Sequence, residues 1–160
     1  MYSQFLSRFR KPPHAAGIYL TDSKFVIHSI HYTDRWIGVV GSPIHVLASD
    51  SSTEALGQSL REMLASTRYG LADQEEAREL RKVFLKEAGF KSWKALQQDA
   101  RYCQINENGK HLQLIPSRNG GWSGPDRGFR WLEDAKVTVA VSVTDAGLGR
   151  ALLETMQRCQ

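Results

Sequence analysis

The sequence has few residues of the kinds that bind metals. Only two of its 160 residues are cysteines, Cys103 and Cys159, and their separation fits neither a redox Cys-x-x-Cys pair nor a zinc site. Two of the five histidines, His28 and His31, lie three positions apart in a predicted strand and therefore point to opposite faces. We expect no metal, no cofactor and a reducing, cytoplasmic environment.

Long hydrophobic runs are also absent. No stretch approaches the roughly 20 apolar residues that span a bilayer. The first residues, "MYSQFLSRFRKPPH", are cationic but lack the apolar centre of a secretory signal peptide. We expect no membrane association, and one domain over residues 1–160 in which residues 1–15 form a loosely ordered segment.

None of the common catalytic motifs occurs in the chain. There is no G-x-S-x-G elbow, H-E-x-x-H pair, phosphate-binding P-loop or G-x-G-x-x-G after a strand. The sequence therefore predicts a protein that is not an enzyme. A catalytic site assembled from residues far apart in the chain is the least favoured alternative.

The charge distribution is mixed along the chain. The net charge is +4, but no segment forms the basic stripe typical of nucleic-acid binding. The only dense run of one sign is acidic, from Asp73 to Glu79, and it contains an arginine. A small basic RNA-binding protein remains the alternative function, although we do not expect nucleic acid as the partner.

Strand and helix patterns alternate along the chain. β-branched and aromatic residues predict strands over 23–33, 35–41 and 44–49. A helix over 52–67 begins with Ser51 and Glu54 at capping-box spacing. A helix over 75–88 follows, with Ala77, Leu80, Val83 and Phe84 on its buried side, and Gly89 ends it.

The second half repeats both patterns. Ser92 caps a short helix whose Trp93 we expect to point inward, with a binding role as the alternative. "RYCQINENGKHLQLIP" predicts a hairpin with Asn108 and Gly109 in its turn and Ile105 opposite Leu112. A strand of alternating valines and a last helix, capped by Thr144 or Asp145, complete the chain.

Two glycine-containing features are notable: a motif that occurs in two helices and a glycine-rich segment. Leu-Gly-x-x-Leu occurs in both the 52–67 helix and the last helix, and we expect Gly57 and Gly149 to let these helices approach the sheet. The glycine-rich segment 119–128 predicts a mobile connector more than a phosphate-binding loop, and Trp122 in it is a candidate partner contact. The whole pattern predicts a single α+β domain with a mostly antiparallel sheet of about six strands and about four helices.

The block "FLKEAGFKSWKALQQDARYCQI", with the hairpin, "IPSRN-GG", "GF" and the final "LG-x-x-L" helix, resembles the contact-dependent growth inhibition immunity proteins. The similarity runs from about Ser52 to Cys159. It implies a cytosolic, non-catalytic protein that binds the C-terminal toxin domain of a large secreted effector, often a nuclease. It further implies that the toxin's active site or substrate channel is blocked and that the block itself is framework.

The toxin-binding surface is predicted from charge and exposure. Nuclease active sites are usually cationic, so an inhibitor commonly offers carboxylates to them. A toxin with an acidic face would instead meet arginines such as Arg118, Arg127 and Arg130. The predicted toxin-binding residues are Glu75, Glu76, Glu79, Trp122, Asp126 and Arg127.

Overall fold

A computed structural model describes residues 10–71 and 74–160, so Asp73 and most of the predicted loose segment lie outside it. The strands are β1 (Ala15–Leu20), β2 (Lys24–Tyr32), β3 (Gly38–Ala48), β4 (Arg101–Asn108), β5 (His111–Asn119), β6 (Phe129–Trp131) and β7 (Val137–Ala140). The helices are α1 (Thr53–Ala65), α2 (Gln74–Ala88), α3 (Trp93–Gln97) and α4 (Asp145–Arg158), with a 3₁₀ turn at Glu133–Ala135.

The seven strands form one antiparallel sheet. Six follow the order β3-β2-β1-β4-β5-β6, and β7 pairs with the first half of β5 while β6 pairs with its last three residues. Together with the four helices, this confirms the predicted α+β class. None of the helices within the described residues is long and apolar enough to cross a membrane.

Helices cover both faces of the sheet, and the larger apolar clusters lie between the sheet and the helices on each face. Helices α1 and α4 pack on one face, where Leu56, Leu60 and Leu152 meet Ile18 and Ile27 of the strands. Helices α2 and α3 lie over the other face, whose buried residues are Tyr19, Val26, Phe84, Ala88, Leu96 and Ala100. Because side chains alternate along a strand, the sheet supplies apolar residues to both clusters.

Strand β1 was missed by the sequence analysis, although it lies in the middle of the sheet between β2 and β4. Its sequence, AAGIYL, is rich in small residues that have low strand propensity. The position needs a small residue at Gly17, since a Cβ atom there would lie 2.2 Å from Nε2 of His28. Tertiary packing therefore overrides the local preference.

The two strands predicted over 35–41 and 44–49 form a single strand, β3, which continues through Pro43. The pairing with β2 shifts between His28 and Ser29, where β3 holds two extra residues. An edge strand tolerates proline because one of its sides needs no hydrogen bonds. Trp36 lies before β3, in the turn, with a positive φ of 61°.

The hairpin between β4 and β5 exists, but its predicted register was wrong by two residues. Ile105 lies opposite Leu114, and Asn108 lies opposite His111, so the turn is formed by Gly109 and Lys110. Of these two residues, only Gly109 has a positive φ, 62°. A type II′ turn requires a positive φ at its first central position, which glycine adopts easily. A shift of two positions keeps every side chain on its predicted face.

Helix ends differ from the predictions in detail. The cap of α1 is Ser52, whose Oγ accepts a hydrogen bond from the Ala55 N–H at 3.1 Å, and not Ser51. Helix α2 ends as predicted at Gly89, with φ 78°, and the Phe90 N–H donates to the Leu85 carbonyl at 2.9 Å. Val83 was predicted to be buried but is 40% exposed.

Gly57 and Gly149 bring helices α1 and α4 against each other and not against the sheet. A Cβ atom at Gly57 would lie 1.9 Å from the Asp145 carbonyl oxygen, and one at Gly149 would lie 1.9 Å from that of Thr53. Each glycine thus contacts the first residue of the other helix. The repeated Leu-Gly pattern marks a reciprocal helix crossing, which corrects the sequence-based expectation.

Candidate functional site

A cleft of about 610 Å³ opens on the α2/α3 side of the sheet. Its floor is formed by neighbouring strands, and its sides include Arg81 of α2, Trp93 of α3 and Trp122 of the glycine-rich segment. The strand residues that line it are Tyr19, His28, Ile30, Tyr32, Gly38, Val39, Val40, Tyr102 and Gln104, and Gln97 comes from α3.

Aromatic rings pack closely around this cleft. The Tyr19 and Tyr102 rings stack with centroids 4.4 Å apart, and Trp93 stacks on Phe84 at 5.1 Å. Trp93 therefore packs inward as predicted, while its remaining surface lines the cleft. Burial raises the pKa of the Tyr102 and Tyr19 hydroxyls, so both stay protonated and can donate or accept hydrogen bonds.

His28 lies in the floor of the cleft and is only 3% exposed. Burial lowers its pKa from 6.5 to about 4, so the ring is neutral at pH 7. Its Nδ1 lies 2.8 Å from the Ser29 carbonyl oxygen. A carbonyl only accepts hydrogen bonds, so Nδ1 carries the proton and Nε2 is an acceptor.

The glycine-rich segment 119–128 follows a defined path beside the cleft. The Gly120 and Gly128 N–H groups donate to the Gly128 and Gly121 carbonyls, each at 2.8 Å, which closes the loop. The Asn119 side-chain amide holds it at the end of α3 by donating to the Gln97 carbonyl at 2.7 Å, and to the Ala100 carbonyl just after that helix at 2.8 Å. Trp122 is thereby held at the cleft with 47% of its surface exposed.

The predicted site residues fall into two groups. Trp122, Asp126 and Arg127 share the closed loop, where Asp126 forms an ion pair of 2.9 Å with Arg130. Glu75 and Glu79 lie about 160° around the α2 axis from buried Ala77, on the outer side of the helix and away from the sheet. The loop that carries Trp122, Asp126 and Arg127 borders the cleft through Trp122. Helix α2 contributes Arg81 to the cleft, and not Glu75 or Glu79.

Two carboxylates of α2 have basic neighbours. Glu79 pairs with Lys82 at 2.8 Å, and Glu76 lies 3.6 Å from Arg68. The outer side of α2 thus carries both signs of charge. Within residues 10–71 and 74–160, no group of three or more histidine, cysteine, aspartate or glutamate side chains is placed to hold a metal ion.

The sequence analysis missed the floor of the cleft. The sequence analysis considered His28 only as a possible metal ligand, and Tyr19 lies in the strand that was not predicted. One signal was present for His28: it occupies the position between Val26 and Ile30 in the alternating pattern of β2 and so shares their buried face. The alternating pattern of β4 shows that Tyr102 and Gln104 share a face. Their place in the cleft depends on which strands lie next to β4, which the sequence does not show.

Comparison with known proteins identifies relatives of this fold. A structure from Neisseria meningitidis, described as "Protein of Unknown Function NMB0488", has a TM-score of 0.75 at 19% identity over 95% of this chain and 99% of that one. A "CdiA-CT/CdiI toxin and immunity complex from Yersinia pseudotuberculosis" also has a TM-score of 0.75, at 16% identity over 94% of this chain and 99% of that one. No curated protein sequence matches significantly.

The model of the family "CdiI: CDI immunity protein" matches residues 14–159. The match extends well before Ser52, where the resemblance seen in the sequence began, and includes β1, β2 and β3. The chain therefore belongs to the CDI immunity protein family.

Proposed function

We propose that this protein binds the toxin domain of a contact-dependent growth inhibition effector in the cytoplasm and neutralises it without catalysis. The family match over residues 14–159 carries the proposal. The similar Yersinia structure, described as a toxin and immunity complex, supports it. In the proposed mechanism the protein covers the toxin's active site or substrate channel, and the toxin is a nuclease.

The proposed contact surface is the rim of the cleft together with the closed glycine-rich loop. Trp122 is a large, half-exposed side chain on a loop that hydrogen bonds hold in place. A preorganised tryptophan loses little conformational freedom on binding, which is one reason such residues dominate binding energies. Asp126 and Arg127 lie beside it and offer polar contacts at the edge.

The outer side of α2 is proposed to guide the toxin towards this surface. Glu75 and Glu79 face away from the sheet, where a cationic nuclease surface could approach them. Their neighbours Arg78 and Lys82 limit the local field, so we expect steering of the encounter and little contribution to the lifetime of the complex.

The test is co-purification with the toxin domain encoded beside this protein, at about 50 and about 500 mM salt. A one-to-one complex that survives the higher salt and abolishes toxicity is the expected result. RNA that is carried along at low salt and lost at high salt, with no toxin complex, would favour a small basic RNA-binding protein instead. An inactive toxin without a stable complex would contradict direct binding.

A further inference from the structure

His28 carries a buried hydrogen-bond acceptor that has no partner within the described residues. Its Nδ1 donates to the Ser29 carbonyl, whereas Nε2 contacts no donor there. An unpaired buried acceptor destabilises the folded state, because the atom has lost its hydrogen bond to water without a replacement. Such an atom in a binding cleft is accounted for if a ligand supplies the missing donor.

The surroundings hold this acceptor in a fixed position. The His28 ring meets Phe84 edge to face at 5.2 Å and lies parallel to Tyr102 at 6.5 Å. Gly17, directly opposite on β1, leaves the space that the ring needs, since a Cβ atom there would lie 2.2 Å from Nε2 and 2.6 Å from the Tyr102 Oη. The position of Nε2 is therefore set by three strands and a helix.

The charges of the cleft determine which donor it can accept. Among the described residues that line it, Arg81 is charged at pH 7 and none is a carboxylate. An ammonium or guanidinium group would lose its hydration without a counter-ion and would meet Arg81. A carboxylate has no proton to donate to Nε2. An uncharged donor has a proton for Nε2 and no charge to desolvate. The tyrosine hydroxyls and glutamine amides that line the cleft can form the remaining hydrogen bonds of this donor group.

We propose that an uncharged hydrogen-bond donor of the toxin domain, a side-chain hydroxyl, amide or indole N–H, enters the cleft and donates to His28 Nε2. This inference rests on the proposed function and adds the chemistry of one anchor to it. His28 is thereby a specificity-determining residue, since a toxin without a donor at this point leaves the acceptor unpaired in the complex.

The test compares toxin affinity for the wild type, His28→Phe, His28→Gln and His111→Phe by titration calorimetry. His28→Phe removes the acceptor, and we expect a loss of affinity of about 10- to 100-fold. His28→Gln places an amide oxygen near the position of Nε2, and affinity within about threefold of the wild type is expected. His111→Phe is the matched control, because His111 is exposed and lies outside the cleft.

A spectroscopic measurement on the wild type separates hydrogen bonding from effects on folding. The nitrogen-15 resonance of His28 Nε2 is expected to move upfield on toxin binding, as an imidazole nitrogen does when it accepts a hydrogen bond. If the wild type forms no toxin complex, the proposed function fails and this anchor with it. A tight wild-type complex with an unmoved Nε2 resonance, or with undiminished affinity of a folded His28→Phe variant, overturns the anchor alone.

Discussion

Trp122 is the residue from which we expect most of the toxin-binding energy. Its exposed ring stands on a loop closed by backbone hydrogen bonds, so truncation removes contact area without loosening the loop. Trp122→Ala should raise the dissociation rate of the toxin complex by about 10- to 100-fold and leave the association rate nearly unchanged. Surface plasmon resonance with the toxin domain measures both rates.

The control for Trp122 is another exposed tryptophan. Trp131 on β6 is 43% exposed and does not line the cleft. Trp131→Ala is expected to keep the wild-type dissociation rate. Equal rates for wild type and Trp122→Ala would show that the glycine-rich loop is not the main contact.

His28 also makes folding stability depend on pH. Its folded-state pKa of about 4 lies below the unfolded value of 6.5, so between these values the unfolded chain binds more protons. The His28 contribution to stability is therefore complete above pH 6.5 and is lost as the pH falls towards 4. At pH 5 the loss amounts to about 2 kcal/mol.

Urea unfolding at pH 7 and pH 5 measures this effect. The free energy of unfolding of His28→Phe should fall by about 2 kcal/mol less than that of the wild type between the two pH values. His111→Phe keeps the buried ring and should follow the wild type. If the free energy of unfolding of His28→Phe falls as much as that of the wild type, His28 is not held in its neutral form by burial.

At the scale of elements, the crossing of α1 and α4 is a tightly constrained contact between two helices. Gly57→Ala places a methyl group against the Asp145 backbone, and the helices must move apart. We expect a loss of about 2 kcal/mol in the free energy of unfolding, although alanine favours the isolated helix. Gln58→Ala, at an exposed position of the same helix, should change it by less than about 0.5 kcal/mol.

The reciprocal geometry gives a sharper expectation. Gly149→Ala forces the same separation from the other helix, so Gly57→Ala with Gly149→Ala should cost less than the sum of the single changes. Urea unfolding of the two single variants and the double variant completes the cycle. Full additivity would show that the two contacts relax independently.

At the scale of the whole molecule, we expect the position of the charged residues to affect toxin association more than the net charge does. Glu75→Lys with Glu79→Lys changes the net charge from +4 by two units at each site, to +8. If the outer side of α2 guides a cationic toxin, the association rate at low salt should fall about tenfold, and the difference should shrink at high salt. Stopped-flow binding over a range of salt concentrations measures this.

The matched control reaches the same net charge elsewhere. Glu133→Lys with Asp134→Lys also gives +8 and changes exposed residues on the 3₁₀ turn, whose Ala135 carbonyl accepts a hydrogen bond from Arg158 of α4. An equal fall in rate for both pairs would mean that total charge, and not α2, controls the encounter. Wild-type rates for both pairs would exclude α2 as a guiding surface.

Features encoded within a few neighbouring residues could be predicted from the sequence. The four helices, the hairpin of β4 and β5, and the left-handed end of α2 at Gly89 depend on spacing, capping and local backbone preference. The resemblance carried by the continuous block "FLKEAGFKSWKALQQDARYCQI" also indicated the family, which the family match over residues 14–159 confirms.

Features that depend on residues distant in the chain were decided only by the tertiary structure. β1 became the central strand despite its small residues, because Gly17 leaves room for the His28 and Tyr102 rings from its neighbours. Gly57 and Gly149 pack helix on helix, which no local pattern distinguishes from packing on a sheet. The cleft combines strands, two helices and a loop, so its acceptor at His28 exists only because long-range packing buries that ring.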